Sequence, residues 1–173
     1  MRYIWIKTLL TGVLLLSING CVQTNDIEVE SVNNAKVNLK AYKTYQFLED
    51  SGIVKEDKNG KLQRSNSEVA ALVEEIINEQ LQKHGKKPTA NDPDFLVAYV
   101  GGSNKDAVVA KLDEKGKQIV EKKPAAALLI MLVDADTGEI LRIATAEGDL
   151  KNLPLDKKRE RIEYAVQKML AGI

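Results

Sequence analysis

The chain has 173 residues, with 25 Lys and Arg against 25 Asp and Glu, one histidine and one cysteine. That charge balance lacks the basic footprint of a nucleic-acid binder, and a lone cysteine excludes an internal disulfide. One histidine and one cysteine are also too few for a histidine- or thiolate-rich metal centre.

Arg2 and Lys7 form a positive N-terminal region, and Thr8 to Ile18 is an apolar run. Its length suits a signal peptide and falls short of a membrane-spanning helix. Ile18-Asn19-Gly20-Cys21 then resembles the cleavage and lipidation box of bacterial lipoproteins, with an aliphatic residue three before the cysteine and a small one directly before it. This pattern implies that residues 1–20 are a signal peptide and that Cys21 is the lipidation site, carrying a diacylglycerol thioether. A thiol is required because its deprotonated form is the strongest nucleophile among the side chains. An ordinary cleaved signal would leave an exposed thiol in an oxidising compartment, and an ordinary anchor would be longer. In this class an aspartate after the lipidated cysteine commonly retains the protein at the inner membrane. Val22 stands there, so the expectation is a membrane partner through the lipid anchor at the outer membrane, periplasmic side, with the inner membrane as the alternative. Residues 21–26 form a short lipidated tether, which keeps a single domain over 27–173 close to the bilayer.

Ile27 to Val32 alternates apolar and polar residues as a half-buried strand does, and Thr44 to Leu48 is rich in β-favouring types. Glu49 to Arg64 shows little periodicity and reads as a loop. Ser65 to His84 is a helix: Ser65 and Glu68 fit a capping box, and Val69, Leu72, Val73, Ile76, Ile77 and Leu81 line one face. Gly85 suits a left-handed C-cap. Lys86 to Pro93 is turn-rich. Phe95 to Val100 is apolar at nearly every position, which predicts a central strand covered on both faces.

Val108 to Leu112 and Ile119 to Glu121 flank Asp113-Glu114-Lys115-Gly116, which predicts a hairpin in preference to a short helix over 106–114. Ala125 to Val133 reads as a buried strand. Asp134 to Gly138 turns the chain, with Gly138 at positive φ, and Ile140 to Glu147 returns as its partner. The last helix starts near Pro154 and Asp156. It buries Ile162, Ala165, Val166, Met169 and Ile173, while the charged residues from Lys157 to Glu163 mostly face water. Consecutive strands separated by two helices predict an α+β fold, an antiparallel or mixed β-sheet with two helices packed on one side.

This order of elements resembles the bacterial lipoprotein family called "domain of unknown function 4136". The matching stretches are Tyr42-Lys43-Thr44-Tyr45-Gln46-Phe47, the helix ending Lys83-His84-Gly85, and Asp92-Pro93-Asp94-Phe95-Leu96-Val97-Ala98-Tyr99. They continue with Leu128-Leu129-Ile130-Met131-Leu132-Val133-Asp134 and Arg161-Ile162-Glu163-Tyr164-Ala165-Val166-Gln167-Lys168-Met169-Leu170. The family often carries a tryptophan on the return strand, where this chain has Ile140-Leu141-Arg142. The resemblance implies fold and compartment and supplies no catalytic residues.

Chemistry-bearing patterns are sparse, and the sequence predicts no catalytic residues, no cofactor and no metal. His84 sits in a last helical turn, where a polar group complements the dipole. Asp134 to Glu139 lacks the ligand spacing of a calcium loop and reads as a turn. Asp92 and Asp94 flank a proline, which is ordinary turn chemistry. Gly101-Gly102-Ser103 precedes no phosphate-loop helix. The leading expectation is a non-enzymatic binding or scaffolding domain of the cell envelope. An edge strand from the 106–123 region could add to the sheet of an envelope protein partner. The alternatives are an envelope hydrolase using Asp92 or Asp94 with the Gly101-Gly102 turn, and a carrier that holds an apolar ligand between sheet and helices.

Overall fold

The computed structural model describes residues 23–56, 61–104, 108–112, 118–122 and 125–173. The signal segment and Cys21 lie outside them. In chain order the elements are β1 (Glu28–Asn33), β2 (Thr44–Phe47), β3 (Gly52–Glu56), β4 (Leu62–Arg64), α1 (Glu68–Lys83) and β5 (Lys87–Pro88). They continue with β6 (Phe95–Asn104), β7 (Val108–Leu112), β8 (Gln118–Lys122), β9 (Ala125–Asp134), β10 (Ile140–Gly148) and α2 (Leu155–Met169). Eight strands form one mixed sheet in the order β1-β10-β9-β6-β2-β5, with β3 joining β6 and β4 joining β3. Strands β1, β10, β9 and β6 are antiparallel neighbours, whereas β2 and β3 both run parallel to β6. With two helices on one side, this is the α+β arrangement read from the sequence.

Strand β6 is the axis of the sheet. Its first half pairs with β2 through Phe95 to Val97, and its second half pairs with β3 through Val100 to Gly102. Between the two, the Tyr99 N–H donates to the Ser51 hydroxyl at 3.2 Å, so the amide at the changeover is not left bare. The segment Glu49 to Arg64 is therefore not a plain loop, because it holds β3 and β4 in an antiparallel hairpin. Ile53 and Val54 are too short an apolar run to show a period. Their pairing with β6 makes the strand.

The expectation that β6 is covered on both faces is also corrected. Phe95, Val97 and Tyr99 are buried beneath the helices, while Leu96 and Ala98 are half-buried and Val100 is 44% exposed on the other face. Strand β9 repeats this, with Ile130 and Leu132 buried and Leu129, Met131 and Val133 only partly so. Apolar residues on the open face hid the two-residue period.

Helix α1 starts later than the sequence suggests. Its N-cap is Ser67, not Ser65, and the Ser67 hydroxyl accepts from the Ala70 N–H at 3.3 Å. Gly85 follows the C-cap at φ +77°, as expected. In α2, Ile162, Ala165, Val166 and Met169 are buried as predicted, and so is Ile173 beyond its end. Arg161 departs from the expected solvated charge cluster, being only 5% exposed. In the region predicted as a hairpin, β7 pairs antiparallel with β8 from Val108↔Lys122 to Leu112↔Gln118, in a two-stranded sheet of its own, and the predicted turn at Asp113 to Gly116 lies outside the described residues.

The core is uneven along the sheet. At the end where β6 begins, Phe95 lies 5.7 Å from Tyr45 and 6.3 Å from Tyr42 between ring centroids, and Tyr45 and Tyr99 each stack edge-on to Phe47. Both phenylalanines and three of the five tyrosines thus form one run of rings. At the start of β10, buried Arg142 donates from Nε to the Met169 carbonyl at 2.7 Å and from Nη1 to Asn33 Oδ1 at 2.7 Å. That side chain occupies part of the stretch where the family often places tryptophan, and it ties the end of α2 to β10 and β1. Toward the other end of β10 the inward residues shrink from Arg142 to Ala144, Ala146 and Gly148.

Candidate functional site

The shrinking side chains leave space. A cleft of about 500 Å³ opens between the N-terminal halves of the two helices and the far end of the sheet. Ile53, Leu128 and Ala146 supply sheet residues, Val69 and Val73 come from α1, and Ile162 and Ala165 come from α2. Glycines let neighbouring side chains pack close against the sheet here. A Cβ on Gly101 would meet Ile53 Cδ1 at 2.7 Å, and one on Gly148 would meet Ile27 Cγ1 at 3.2 Å. The volume and the mostly apolar lining match those of small-molecule sites.

Charged groups gather around the cleft. Lys55, Lys151, Lys158 and Arg161 line it, together with Glu147 and Asp149. The Asp149 carboxylate is engaged locally, accepting from the Lys151 N–H at 2.8 Å. Arg161 is held between the wall and the chain's N-terminal segment: Nη2 donates to Asp26 Oδ2 at 2.6 Å and Nη1 donates to the Gln23 carbonyl. The guanidinium beside it lowers the pKa of the Asp26 carboxyl below its ordinary value. The Nε of Arg161 is buried and has no hydrogen-bond partner among the described residues. The N-terminal ends of α1 and α2 both reach this end of the fold, where Ser67 and Lys158 line the cleft.

The sequence-predicted residues lie elsewhere or do other work. Asp94 Oδ2 accepts from the Lys43 and Thr44 N–H groups at 2.6 and 2.8 Å, which fixes the start of β2 and lowers the Asp94 pKa. Asp92 is exposed, at φ +51°. Gly101 and Gly102 lie near the opposite end of β6, about 25 Å from Asp94 at the rise of an extended strand. The fold therefore does not bring together the carboxylates and the glycine turn that a hydrolase reading would join. His84 is the C-cap of α1, where its backbone N–H bonds the last carbonyls, and burial, with help from the Lys86 and Arg142 charges, lowers its pKa. Among the described residues no group of three or more His, Cys, Asp and Glu is placed to hold a metal ion.

Asp134 is the hub of its turn. Its Oδ1 accepts from the Asp136 and Thr137 N–H groups at 3.0 and 2.8 Å, its Oδ2 accepts from the Tyr42 hydroxyl at 2.6 Å, and Gly138 takes φ +70°. The Tyr42 bond and the turn amides hold the Asp134 pKa down to about 2, and the same bond helps push Tyr42 up to about 12. A depressed carboxyl stabilises the fold above its unfolded pKa near 4 and loses that stabilisation as the pH falls through about 2. A raised phenol stabilises it below pH 10 and loses that as the pH rises through about 12. Tyr42→Phe should therefore shrink the drop in melting temperature between pH 4 and pH 2, measured by thermal unfolding. An unchanged drop would remove this bond from the acid response.

Arg161 and the cleft escaped the sequence reading. Arg161 sits among Lys157, Lys158, Arg159, Glu160 and Glu163, and nothing local separates it from them. Arg159 pairs with Glu75, Glu79 and Glu163 at 3.0, 3.1 and 2.9 Å on the partly exposed side. Arg161 lies beside the apolar face. The one available signal was the run of small residues, Ala144, Ala146 and Gly148, at alternate positions of β10.

Comparison with solved structures gives several likenesses. A DUF4136 family protein from Bacteroides thetaiotaomicron is 9% identical with a TM-score of 0.53, over 83% of this chain and 95% of that one. A PDZ domain protein from Parabacteroides distasonis is 18% identical with a TM-score of 0.48 over 83% of this chain, which spans only 35% of that protein's length. A PelC dodecamer from Paraburkholderia phytofirmans is 11% identical with a TM-score of 0.49, over 83% of this chain and 94% of that one. At these identities the first likeness speaks to the fold alone, and the other two carry no argument. No curated protein matches the chain significantly by sequence. The family described as "Domain of unknown function (DUF4136)" matches residues 29–172, and the chain belongs to that family.

Proposed function

We propose that this chain is a lipid-anchored binding domain of the bacterial envelope. It is held through Cys21 at the periplasmic side of the outer membrane and takes an apolar ligand into the cleft between its helices and sheet. The observation that carries this reading is the cleft of about 500 Å³, walled by aliphatic side chains and left open by small residues at the end of β10. The position of the anchor supports it. Gln23 is bonded to Arg161 on the cleft wall and stands two residues from Cys21, a reach of roughly 7 Å of extended chain. A lipid at Cys21 would hold the cleft close to the membrane surface, where apolar ligands are found.

A partner protein is a second reading, resting on the β7–β8 hairpin. It forms a sheet apart from the main one, so its outer edges have no strand partner among the described residues. Such edges can accept an added strand.

The cleft reading is tested by photolabelling membranes that carry the protein, using dodecanol with a diazirine on its tail. Labelled peptides should map to Val69–Val73 and Lys158–Ala165. Ala165→Phe, which fills the cleft, should remove most of that labelling. Ala146→Leu serves as the second filler if the first variant does not fold. Labelling confined to the open face of the sheet, at Leu96, Val100 and Met131, would overturn the assignment.

A further inference from the structure

The cleft has one feature that a purely apolar ligand would leave unexplained. Arg161 is 5% exposed, lines the space, and keeps a buried Nε–H without a partner among the described residues. A buried donor left unmade is costly, and structures seldom retain one without a use. Each terminal nitrogen donates one of its two N–H groups, Nη2 to Asp26 and Nη1 to the Gln23 carbonyl, so the guanidinium is held in place while its Nε–H stays unpaired among the described residues.

From this we infer that the ligand is an amphiphile with a single acyl-length tail in the cleft and an anionic head group at Arg161. The inference rests on the apolar-cleft reading and adds the chemistry of the head group. Three further features favour an anion. Lys158 is half-buried on the same helix, one turn before Arg161. Lys55 and Lys151 stand on the exposed rim. The N-terminal ends of both helices add partial positive charge at this end of the fold. Two opposing groups are already engaged, since Asp26 neutralises one edge of Arg161 and Asp149 accepts the Lys151 amide. Glu147 remains on the lining and sets a bound on the net positive field. The thioether lipid expected on Cys21 carries no charged head, so it would fill the cleft without using the spare N–H.

The test is a competition against the same diazirine-dodecanol label, on the full chain extracted from its membrane in a nonionic detergent. The competitors are dodecyl phosphate, dodecanol, dodecyltrimethylammonium and inorganic phosphate. Dodecyl phosphate should displace the label at a concentration lower than dodecanol's by about tenfold or more, the gain expected of a charge-assisted bond. The ammonium amphiphile should be no better than dodecanol, and inorganic phosphate should displace nothing, because it has no tail. Arg161→Gln should remove the advantage, so that dodecyl phosphate displaces the label no better than dodecanol does on the same variant. If that variant does not fold, Lys158→Gln should reduce the advantage by a smaller factor. Equal displacement by dodecyl phosphate and dodecanol would overturn the head-group inference and leave the apolar cleft standing. That result would point to the uncharged lipid of Cys21, or to a water on Nε. Failure of every tailed competitor would overturn the cleft reading itself.

Discussion

Phe95→Ala should lower the unfolding free energy by about 3–5 kcal/mol, the cost of removing a large buried aromatic side chain and leaving a void. At this chain length that corresponds to a fall in melting temperature of roughly 6–20 °C. Phe95 is 2% exposed and stands at the start of the central strand, packed against Tyr45 and Tyr42. The rings of Tyr45, Phe47 and Tyr99 continue the contact along the sheet. Removing it strips one ring from two neighbours at once, so little of the cavity can be refilled by side-chain movement. Phe95→Leu keeps most of the volume and should cost less than about 1.5 kcal/mol. Chemical denaturation of the two variants gives the comparison directly. Similar costs would mean that the ring contacts, and not the filled volume, carry the stabilisation. A cost for the alanine variant below about 1 kcal/mol would show that this end of the core relaxes freely.

Cys21→Ser should shift the chain from the membrane fraction to a carbonate-extractable state. The expectation follows from acyl-chain energetics: each buried methylene contributes about 0.8 kcal/mol, and one chain gives only marginal, reversible binding, whereas two or more hold firmly. A serine hydroxyl is a far poorer nucleophile than a thiolate and cannot form the thioether. Intact mass of the extracted protein distinguishes the outcomes. The wild type should lack residues 1–20 and carry the mass of a lipid. Retention of residues 1–20, or a bare thiol at Cys21, would remove the anchor and with it the placement of the cleft at a membrane.

Much of the fold was legible in the residues because its signals are local. The alternation in β1, the aliphatic stripe of α1 and the apolar face of α2 each follow from a period that one element satisfies alone. Gly85 and Gly138 were legible for a similar reason, since a helix end and a hairpin turn each need positive φ at one position. The pairing of β7 with β8 was legible from two short apolar runs flanking a charged stretch. Strand β3 was not. Ile53 and Val54 become a strand because β6 extends beyond β2 and offers them free backbone groups. The cap of α1 was misplaced by two residues because Ser65 and Ser67 are both competent caps, and position in space selects between them.

The candidate site divides in the same way. Sequence alone placed an expected lipid on Cys21, because that inference needs only a charged start, an apolar run and four residues of local pattern. It could not place the cleft, which exists where Gly102, Ala146 and Gly148 from two different strands meet Ala165 of α2, residues separated widely along the chain. Nor could it tell Arg161 from its charged neighbours, or set Asp94 apart from Gly102, since those facts depend on helix phase against the sheet and on the length of β6. Periodicity reports which side of its own element a residue occupies. Only packing between elements decides whether that side meets a neighbour, water or an unfilled space.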